Sequence, residues 1–447
     1  MKRYYFVGIG GIGMSAIAKY LKVLGNEVYG YDKTCTELTT LLEKDGIPII
    51  YEDDYTKLPK DIDLVIYTPA ISKDNNILNH FISNNIPLKK RSEILEDITK
   101  GKKCIAIAGT HGKTTCSTMI AHILNESNVK CSAFLGGISK NFDSNYLINN
   151  ESQYVVVEAD EFDHSFLRLN PTISAITSID ADHLDIYGNI DELKKSFEQF
   201  ANNTSDAIFI KRGVDLSLDE DKEIEQYYYT ISGLDVDYYA INIRNYNGTS
   251  YFDLRTPNKI YYDICLNYGG VHNVENAVLS IAISLYCGVS EDEMRRAVES
   301  FNGVKRRFDV QIKRKDFIFI DDYAHHPNEI RVCVNSLRML YPNKKITGVF
   351  QPHLFSRTRD FMDDFAKALE LLDEVVLLDI YPAREKPIEG INSKQLLHKI
   401  NKMDKYYCTK QGLLDLLEAL YPEVLVTMGA GDISDMVKDI KTKFEDE

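Results

Sequence analysis

No stretch of this chain reaches about 18 uninterrupted apolar residues, so no segment is expected to span a membrane. Cysteine is sparse: eight residues are scattered with no Cys-x-x-Cys pair, which fits reduced thiols and argues against a zinc site. Positive charge is in deficit. The formal net charge of −15 argues against nucleic acid as the main partner, because that role normally needs a basic face. The opening residues, Met1-Lys2-Arg3-Tyr4-Tyr5-Phe6-Val7-Gly8, enter a strand at once. They lack the apolar core and small-residue cleavage site of a secretory leader, so a cytoplasmic location is expected. Short-period repeats and low-complexity tracts are also missing. What remains is a 447-residue chain, 44% hydrophobic and 27% charged, with room for two to four globular domains.

The first hundred residues alternate strand and helix. Tyr4–Val7, Glu27–Tyr31 and Leu64–Tyr67 read as strands, and Met14, Ile17, Ala18, Leu21 and Leu24 recur at helical spacing. This α/β pattern stops near the polar stretch Thr99–Lys103. A second unit opens at Cys104, with strands at Tyr154–Val157 and Ile173–Thr177. Between Val214 and Tyr268 tyrosines are dense, and Ser250–Leu254 and Ile260–Leu266 flank a turn as a hairpin would. The tyrosines are expected to pack rather than to bind. A helix over Asn273–Tyr286 follows. A third α/β unit opens near Gly303, with strands at Phe317–Ile320, Ile346–Phe350, Val375–Leu378 and Val424–Thr427. Glu158, Asp322, Gln351-Pro352-His353 and Gly429-Ala430-Gly431-Asp432 each follow an apolar run. Ligands of open α/β sheets bind at such strand ends, so these ends are expected to form a site between domains.

The most informative segment is Gly109-Thr110-His111-Gly112-Lys113-Thr114-Thr115, between the apolar run Cys104–Ala108 and a helical pattern. Backbone N–H groups and a helix N-terminus there would receive phosphate charge. Lys113 would neutralise it, and the Thr114 hydroxyl could reach Mg²⁺. The spacing is shorter than the usual Gly-x-x-x-x-Gly-Lys-Ser/Thr, because Ile107 stands where the first glycine would be.

Gly8-Ile9-Gly10-Gly11-Ile12-Gly13 matches Gly-x-Gly-x-x-Gly after a strand, and Asp32 ends the next strand. A dinucleotide, another diphosphate such as a nucleotide sugar, and a bare packing turn all fit. Glu158 ends a buried strand and suits Mg²⁺, which takes few protein oxygens beside phosphate and water. Asp160, Glu161 and Asp163 read as a solvated acidic loop. His183, in Asp180–Asp185, is a candidate for metal or phosphate. Asn273 and Asn276 share one face at a helix start and could reach a base or phosphate. Arg307 is a candidate for a transferred phosphoryl group. Tyr323, His325, His353 and Arg357 follow strand ends, where an arginine fork suits a carboxylate.

In order along the chain, Gly8–Gly13, Gly109–Thr115, Glu158–Phe166, Asp182–Asp185, His272–Asn276, Arg306–Asp309, Asp321–Pro327 and Gln351–Arg357 resemble the motifs of the Mur ligases. His111, where most of that family has Asn, resembles the alanine-adding branch. The resemblance implies three α/β domains. Residues 1–100 would be a Rossmann-like N-terminal domain binding the UDP substrate. Residues 101–302 would be a central P-loop-type ATPase domain with a small antiparallel sheet. Residues 303–447 would be a Rossmann-like C-terminal domain binding the amino acid. It implies ADP-forming ligation of L-alanine to UDP-N-acetylmuramate through an acyl phosphate, with ATP and Mg²⁺, in a monomer or homodimer.

On that resemblance Gly8, Gly10, Gly11 and Gly13 hold the UDP diphosphate rather than NAD, and the contact of Asp32 is left open. Lys113, His183 and Arg307 are catalytic. Gly109, Thr110, His111, Gly112, Lys113, Thr114, Thr115, Asn273, Asn276, Arg307 and Asp322 bind ATP. Thr114, Glu158 and His183 hold the metal, and Tyr323, His325, His353 and Arg357 face alanine and the acyl carbon. Two positions depart from the family. Phe197 stands where several members carry a carbamylated lysine, and Leu354 where the alanine-adding branch often has Arg. Ligation of a tripeptide to the same sugar and nicotinamide-dependent oxidoreduction are the rival readings.

Overall fold

A computed structural model describes every residue except 181–183, 220, 232, 234, 247, 384, 446 and 447. The described residues form three sheets. The first has strands β1 (Arg3–Val7), β2 (Glu27–Tyr31), β3 (Ile49–Ile50), β4 (Leu64–Tyr67) and β5 (Leu88–Lys90), in the order β3-β2-β1-β4-β5. All four pairings are parallel. The order reverses beside β1, and a crevice opens at such a switch point. The loop Gly8–Gly13 leaves β1 there. The helix that follows, Ile12–Val23, buries Met14, Ile17, Ala18 and Leu21, the residues whose 3.6-residue period marked it.

The second sheet has ten strands: β6 (Lys103–Ala108), β7 (Ser132–Ser139), β8 (Ser144–Leu147), β9 (Tyr154–Glu158), β10 (Ile173–Ile176), β11 (Ala207–Lys211), β12 (Glu225–Thr230), β13 (Tyr238–Tyr246), β14 (Thr249–Arg255) and β15 (Ile260–Leu266). Their order is β15-β14-β13-β12-β11-β10-β6-β9-β7-β8. Strand β6 is parallel to both neighbours, β9 and β10. Its run Cys104–Ala108 is at most 1% exposed, as a strand covered on both faces requires. The expected hairpin appears as β14 and β15, but these strands extend the ten-stranded sheet and do not form a separate small one. The tyrosines do pack: Tyr227 and Tyr238 lie with ring centroids 5.8 Å apart and both surround Phe209.

The third sheet has β16 (Asp309–Lys313), β17 (Ile318–Asp322), β18 (Ile346–Phe350), β19 (Glu374–Leu377), β20 (Lys405–Tyr407) and β21 (Val424–Met428), in the order β16-β17-β21-β18-β19-β20. Only the β16–β17 pairing is antiparallel. The chain forms two compact units. One comprises residues 1–241, 253–264 and 275–301, and the other 242–252, 265–274 and 302–447. Within the first unit a single apolar cluster joins the first two sheets, running from Phe6 and Ile17 to Phe134, Phe166 and Phe197.

Candidate active site

Gly109 leaves β6 at φ +131°, and a Cβ there would meet the Thr177 side chain and sit 2.8 Å from the Ser178 nitrogen. Only glycine fits so close to another backbone. Gly112, at φ +83°, caps the helix Lys113–Glu126 without a side-chain cap of its own. The loop is clamped by the end of β10. Thr110 N–H donates to the Ser178 carbonyl at 3.0 Å, and His111 N–H to Ser178 Oγ at 2.9 Å. The Thr177 hydroxyl donates to the Ala108 carbonyl at 3.1 Å and also to that of His111. His111 Nε2 lies 3.0 Å from Asp180 Oδ2. These contacts hold the loop at the start of the helix, where backbone N–H groups suit a phosphate.

Lys113 Nζ donates to the Gly109 carbonyl at 2.6 Å and to Glu161 Oε1 at 2.9 Å. Oε2 of Glu161 is also 2.9 Å away, so the carboxylate grips the ammonium with both oxygens. Burial opposes the lysine's charge, but Glu161, Glu158 and Asp160 outweigh it and hold its pKa above the ordinary value. Burial pushes the Glu161 carboxyl upward, against the pull of Lys113. Glu161 is 1% exposed. It is therefore no part of a solvated loop, which corrects the expectation for that residue.

Glu158 ends β9, the neighbour of β6, and lies so close over Gly136 that a Cβ there would overlap the carboxylate. Its Oε2 is buried with no hydrogen-bond partner among the described residues. An orphaned carboxylate oxygen beside a phosphate loop is the donor that a hard divalent cation takes up, so Glu158 and the buried Thr114 fit Mg²⁺. His183 lies outside the described residues. Asn276 Oδ1 is 3.0 Å from where a Cβ on Gly112 would stand and accepts from Cys116 Sγ at 3.3 Å, which puts this amide against the loop. Asn273 is 1% exposed, and its Nδ2 donates to the Gly269 carbonyl at 2.7 Å.

Asp32 accepts from Gly10 N–H at 2.8 Å through Oδ2. Its carboxylate therefore shapes the first glycine loop from within. Its other oxygen, Oδ1, accepts from Thr34 N–H at 3.1 Å. Gly8, at φ +87°, and Ile9 both donate from backbone N–H to the Tyr31 carbonyl. Arg91 lies against the helix start, with Nη1 2.5 Å from the Cβ position of Gly13. A cleft opens here, lined among others by Ile12, Gly13, Arg91, Gly136, Glu158 and Asp160. It joins the first glycine loop to Glu158. Arg91 pairs with Asp160 at 3.1 Å and Lys90 with Asp163 at 3.2 Å. The sequence reading missed Arg91. Its signal was three cations in a row, Lys89-Lys90-Arg91, at a strand end.

In the second unit, β17, β21 and β18 are neighbours, so Asp322, Gly429–Asp432 and Gln351 gather at adjacent strand ends. Asp322 accepts from Phe308 N–H and Ala324 N–H, both at 2.7 Å, and burial raises its pKa to about 6. The guanidinium carbons of Arg306 and Arg307 lie 4.9 and 4.7 Å from the Tyr323 ring centroid. His325 Nδ1 is 2.9 Å from the Tyr323 carbonyl and 3.2 Å from Glu329. Burial lowers the His325 pKa; Glu329 opposes this, and the positive charges of Arg357 and Arg307 add to it. His353 is 6.2 Å from His325, ring to ring, and stacks on Tyr381 at 5.7 Å. The structure thus brings Arg307, Tyr323, His325, His353 and Arg357 together. Leu354 holds φ +70° just before the helix Phe355–Asp360. Phe197 is fully buried with its ring 5.1 Å from that of Phe166, so this position belongs to an apolar core.

Three family models match the chain: "Mur ligase family, catalytic domain" over residues 3–103, "Mur ligase middle domain" over 107–284, and "Mur ligase, glutamate ligase domain" over 306–431. A protein of Christiangramia forsetii named UDP-N-acetylmuramate--L-alanine ligase is 46% identical over 455 residues, which cover 99% of this chain and 97% of that one. A protein of the same name from Flavobacterium psychrophilum is 48% identical over 449 residues, 99% of this chain and 98% of that one. The solved UDP-N-acetylmuramate-alanine ligase of Thermotoga maritima superposes with a TM-score of 0.86 at 30% identity, covering all of both chains. With the glycine loops, Glu158 and the strand-end clusters in place, the conclusion is direct: the chain belongs to the Mur ligase family.

Proposed function

We propose that this enzyme joins L-alanine to the carboxylate of UDP-N-acetylmuramate at the expense of ATP, forming ADP and phosphate, in the synthesis of peptidoglycan precursors. The observation that carries the reading is the cleft lined by both the first glycine loop and Glu158, the carboxylate on the strand beside the phosphate loop. A UDP-linked sugar bound by its diphosphate at Gly8–Gly13 would direct its acid end along this cleft toward the phosphate loop. The relatives' names, at 46% and 48% identity over nearly the full chain, support the same pair of substrates.

A carboxylate at neutral pH is a poor electrophile, so it first takes the γ-phosphoryl group as an acyl phosphate. The alanine amine then attacks the carbonyl carbon and phosphate leaves. Lys113 and Arg307 stabilise the transferring phosphoryl charge, and Asn273, Asn276 and Asp322 position ATP. Thr114, Glu158 and His183 would hold Mg²⁺, which would neutralise phosphate charge. Tyr323, His325, His353 and Arg357 receive alanine and the acyl carbon. Residues 1–100, 101–302 and 303–447 serve as UDP-substrate, ATP and amino-acid domains of a cytoplasmic monomer or homodimer.

The test is phosphate release from ATP with Mg²⁺ and UDP-N-acetylmuramate, on adding L-alanine, glycine, L-serine or the tripeptide. Alanine-dependent release is expected. Release with the tripeptide alone, or none with any acceptor, sinks the proposal.

A further inference from the structure

The segment Asp160-Glu161-Phe162-Asp163 spends each of its carboxylates on a different cation. Glu161 grips Lys113 of the phosphate loop, Asp160 pairs with Arg91 over the first glycine loop, and Asp163 reaches Lys90. The three contacts differ in weight. Lys113 and Glu161 are 14% and 1% exposed at the side chain, Arg91 and Asp160 25% and 37%, and Lys90 and Asp163 more than a third each. Solvent screens the last pair most and the first least.

The segment is braced from within. Asp160 Oδ1 accepts from Phe162 N–H at 3.1 Å, and the Asp160 carbonyl from Phe166 N–H at 3.0 Å. The Glu161 carbonyl accepts from the Tyr187 hydroxyl at 2.5 Å and from His164 N–H at 3.1 Å. Asp163 and His164 hold φ +55° and +54°, two left-handed residues in succession and neither a glycine. Such a turn persists only when its surroundings over-determine it. Here it aims Glu161 one way and Asp160 and Asp163 the other. Asp160 and Glu161 are joined by one peptide bond, so the contacts to Arg91 and to Lys113 share a single stretch of backbone.

We propose that Asp160 and Glu161 are positioning residues whose carboxylates stand where ligand phosphates must come, Glu161 on Lys113 for the nucleotide and Asp160 on Arg91 for the diphosphate of the UDP substrate, so that either ligand displaces the shared segment and frees the cation the other needs. The Arg91 half rests on the function proposed above; the Lys113 half needs only a nucleoside triphosphate. Binding of the two ligands is then coupled through the segment, and the coupling is reciprocal.

The test is calorimetry on the whole protein. A non-hydrolysable ATP analogue with Mg²⁺ is titrated with and without saturating UDP-N-acetylmuramate. In the unaltered protein the sugar nucleotide should tighten the analogue at least about fivefold, the low end of ordinary coupling. Glu161→Gln should tighten the analogue alone by a similar factor and reduce the coupling below twofold. Asp160→Asn should do the same for UDP-N-acetylmuramate alone, and Asp163→Asn should change neither affinity by as much as twofold. Weaker or unchanged analogue binding in Glu161→Gln, or full coupling in both variants, overturns the proposal. A merely structural role would weaken both ligands together. Should Glu161→Gln not fold, Glu161→Asp keeps the charge at a shorter reach and should give an intermediate tightening; none would count against the idea. Failure of UDP-N-acetylmuramate to bind the unaltered protein overturns the proposed function and the coupling with it. The Glu161→Gln titration with the analogue alone still decides the Lys113 half.

Discussion

At the scale of single residues, the phosphate loop shows why lysine placement and lysine charge are one problem. An ammonium this enclosed would lose its charge without carboxylates around it, and Glu161 is the nearest. Removing the cation therefore does two kinds of damage. Lys113→Met should lower kcat at least about a hundredfold, the usual loss when one stabiliser of transferring charge is removed. It should also cost about 3 kcal/mol of stability, because a buried carboxylate is left without its counter-ion. Adding Glu161→Gln should restore most of the stability and none of the turnover. Urea unfolding of the single and double variants reads the first effect, and ADP release the second. A double variant no more stable than the single one would show that the pair is not coupled.

This residue scale was partly legible in the sequence. Gly109, Gly112 and Lys113 announce themselves because a glycine turn and its lysine sit within five positions. Thr177 and Ser178, which clamp the same loop, lie more than sixty positions away and carry no local pattern. Glu161 was visible as a residue and misread as solvated. Burial is decided by what packs over a segment, here Tyr187 and the phosphate-loop helix, and not by the acidity of its neighbours.

At the scale of elements, the helix Ile190–Asn202 shows how a family position can be refitted. Phe197 and Phe200 pack on Phe166, ring centroids 5.1 Å apart in each case, and Phe166 closes the segment that carries Asp160–Asp163. A stack of aromatic rings thus supports the acidic segment from below, where a modified lysine would need polar partners. Phe197→Ala should cost about 3–5 kcal/mol, the range for emptying a buried phenylalanine site. Urea unfolding at fixed pH checks this; a loss below 1 kcal/mol would mean the stack bears little. Parallel strands such as β1, β4 and β18 were readable to within a residue because apolar runs between helices have few other solutions. The pair β7–β8 was not, because Gly136 and Gly137 interrupt β7 with residues of low strand preference. A Cβ on Gly136 would overlap the Glu158 carboxylate, so a packing demand erased the local signal.

At the scale of the whole molecule, stability and charge meet in opposing titrations. Burial depresses His272, whose Nδ1 is 2.9 Å from Ser336 Oγ, to about 4. Asp321 is 2% exposed, accepts from the Thr427 hydroxyl at 2.7 Å, and is raised by burial to about 6. For the histidine, the unfolded chain binds a proton more readily than the folded one, so its contribution is present above about pH 6.5 and is lost as pH falls toward 4. For the carboxyl, the folded state holds the proton more tightly. Its contribution is present below about pH 3.9 and is lost as pH rises through 6. The two slopes run against each other between pH 4 and 6 and flatten the profile there. Substitution should separate them. His272→Gln should gain thermal stability relative to the unaltered protein as pH falls from 6.5 to 4. Asp321→Asn should gain relative to it as pH rises from 4 to 6.5. Melting curves at half-unit steps across this window check both. Variants whose Tm runs parallel to the original at every pH would show that neither group titrates as its burial dictates.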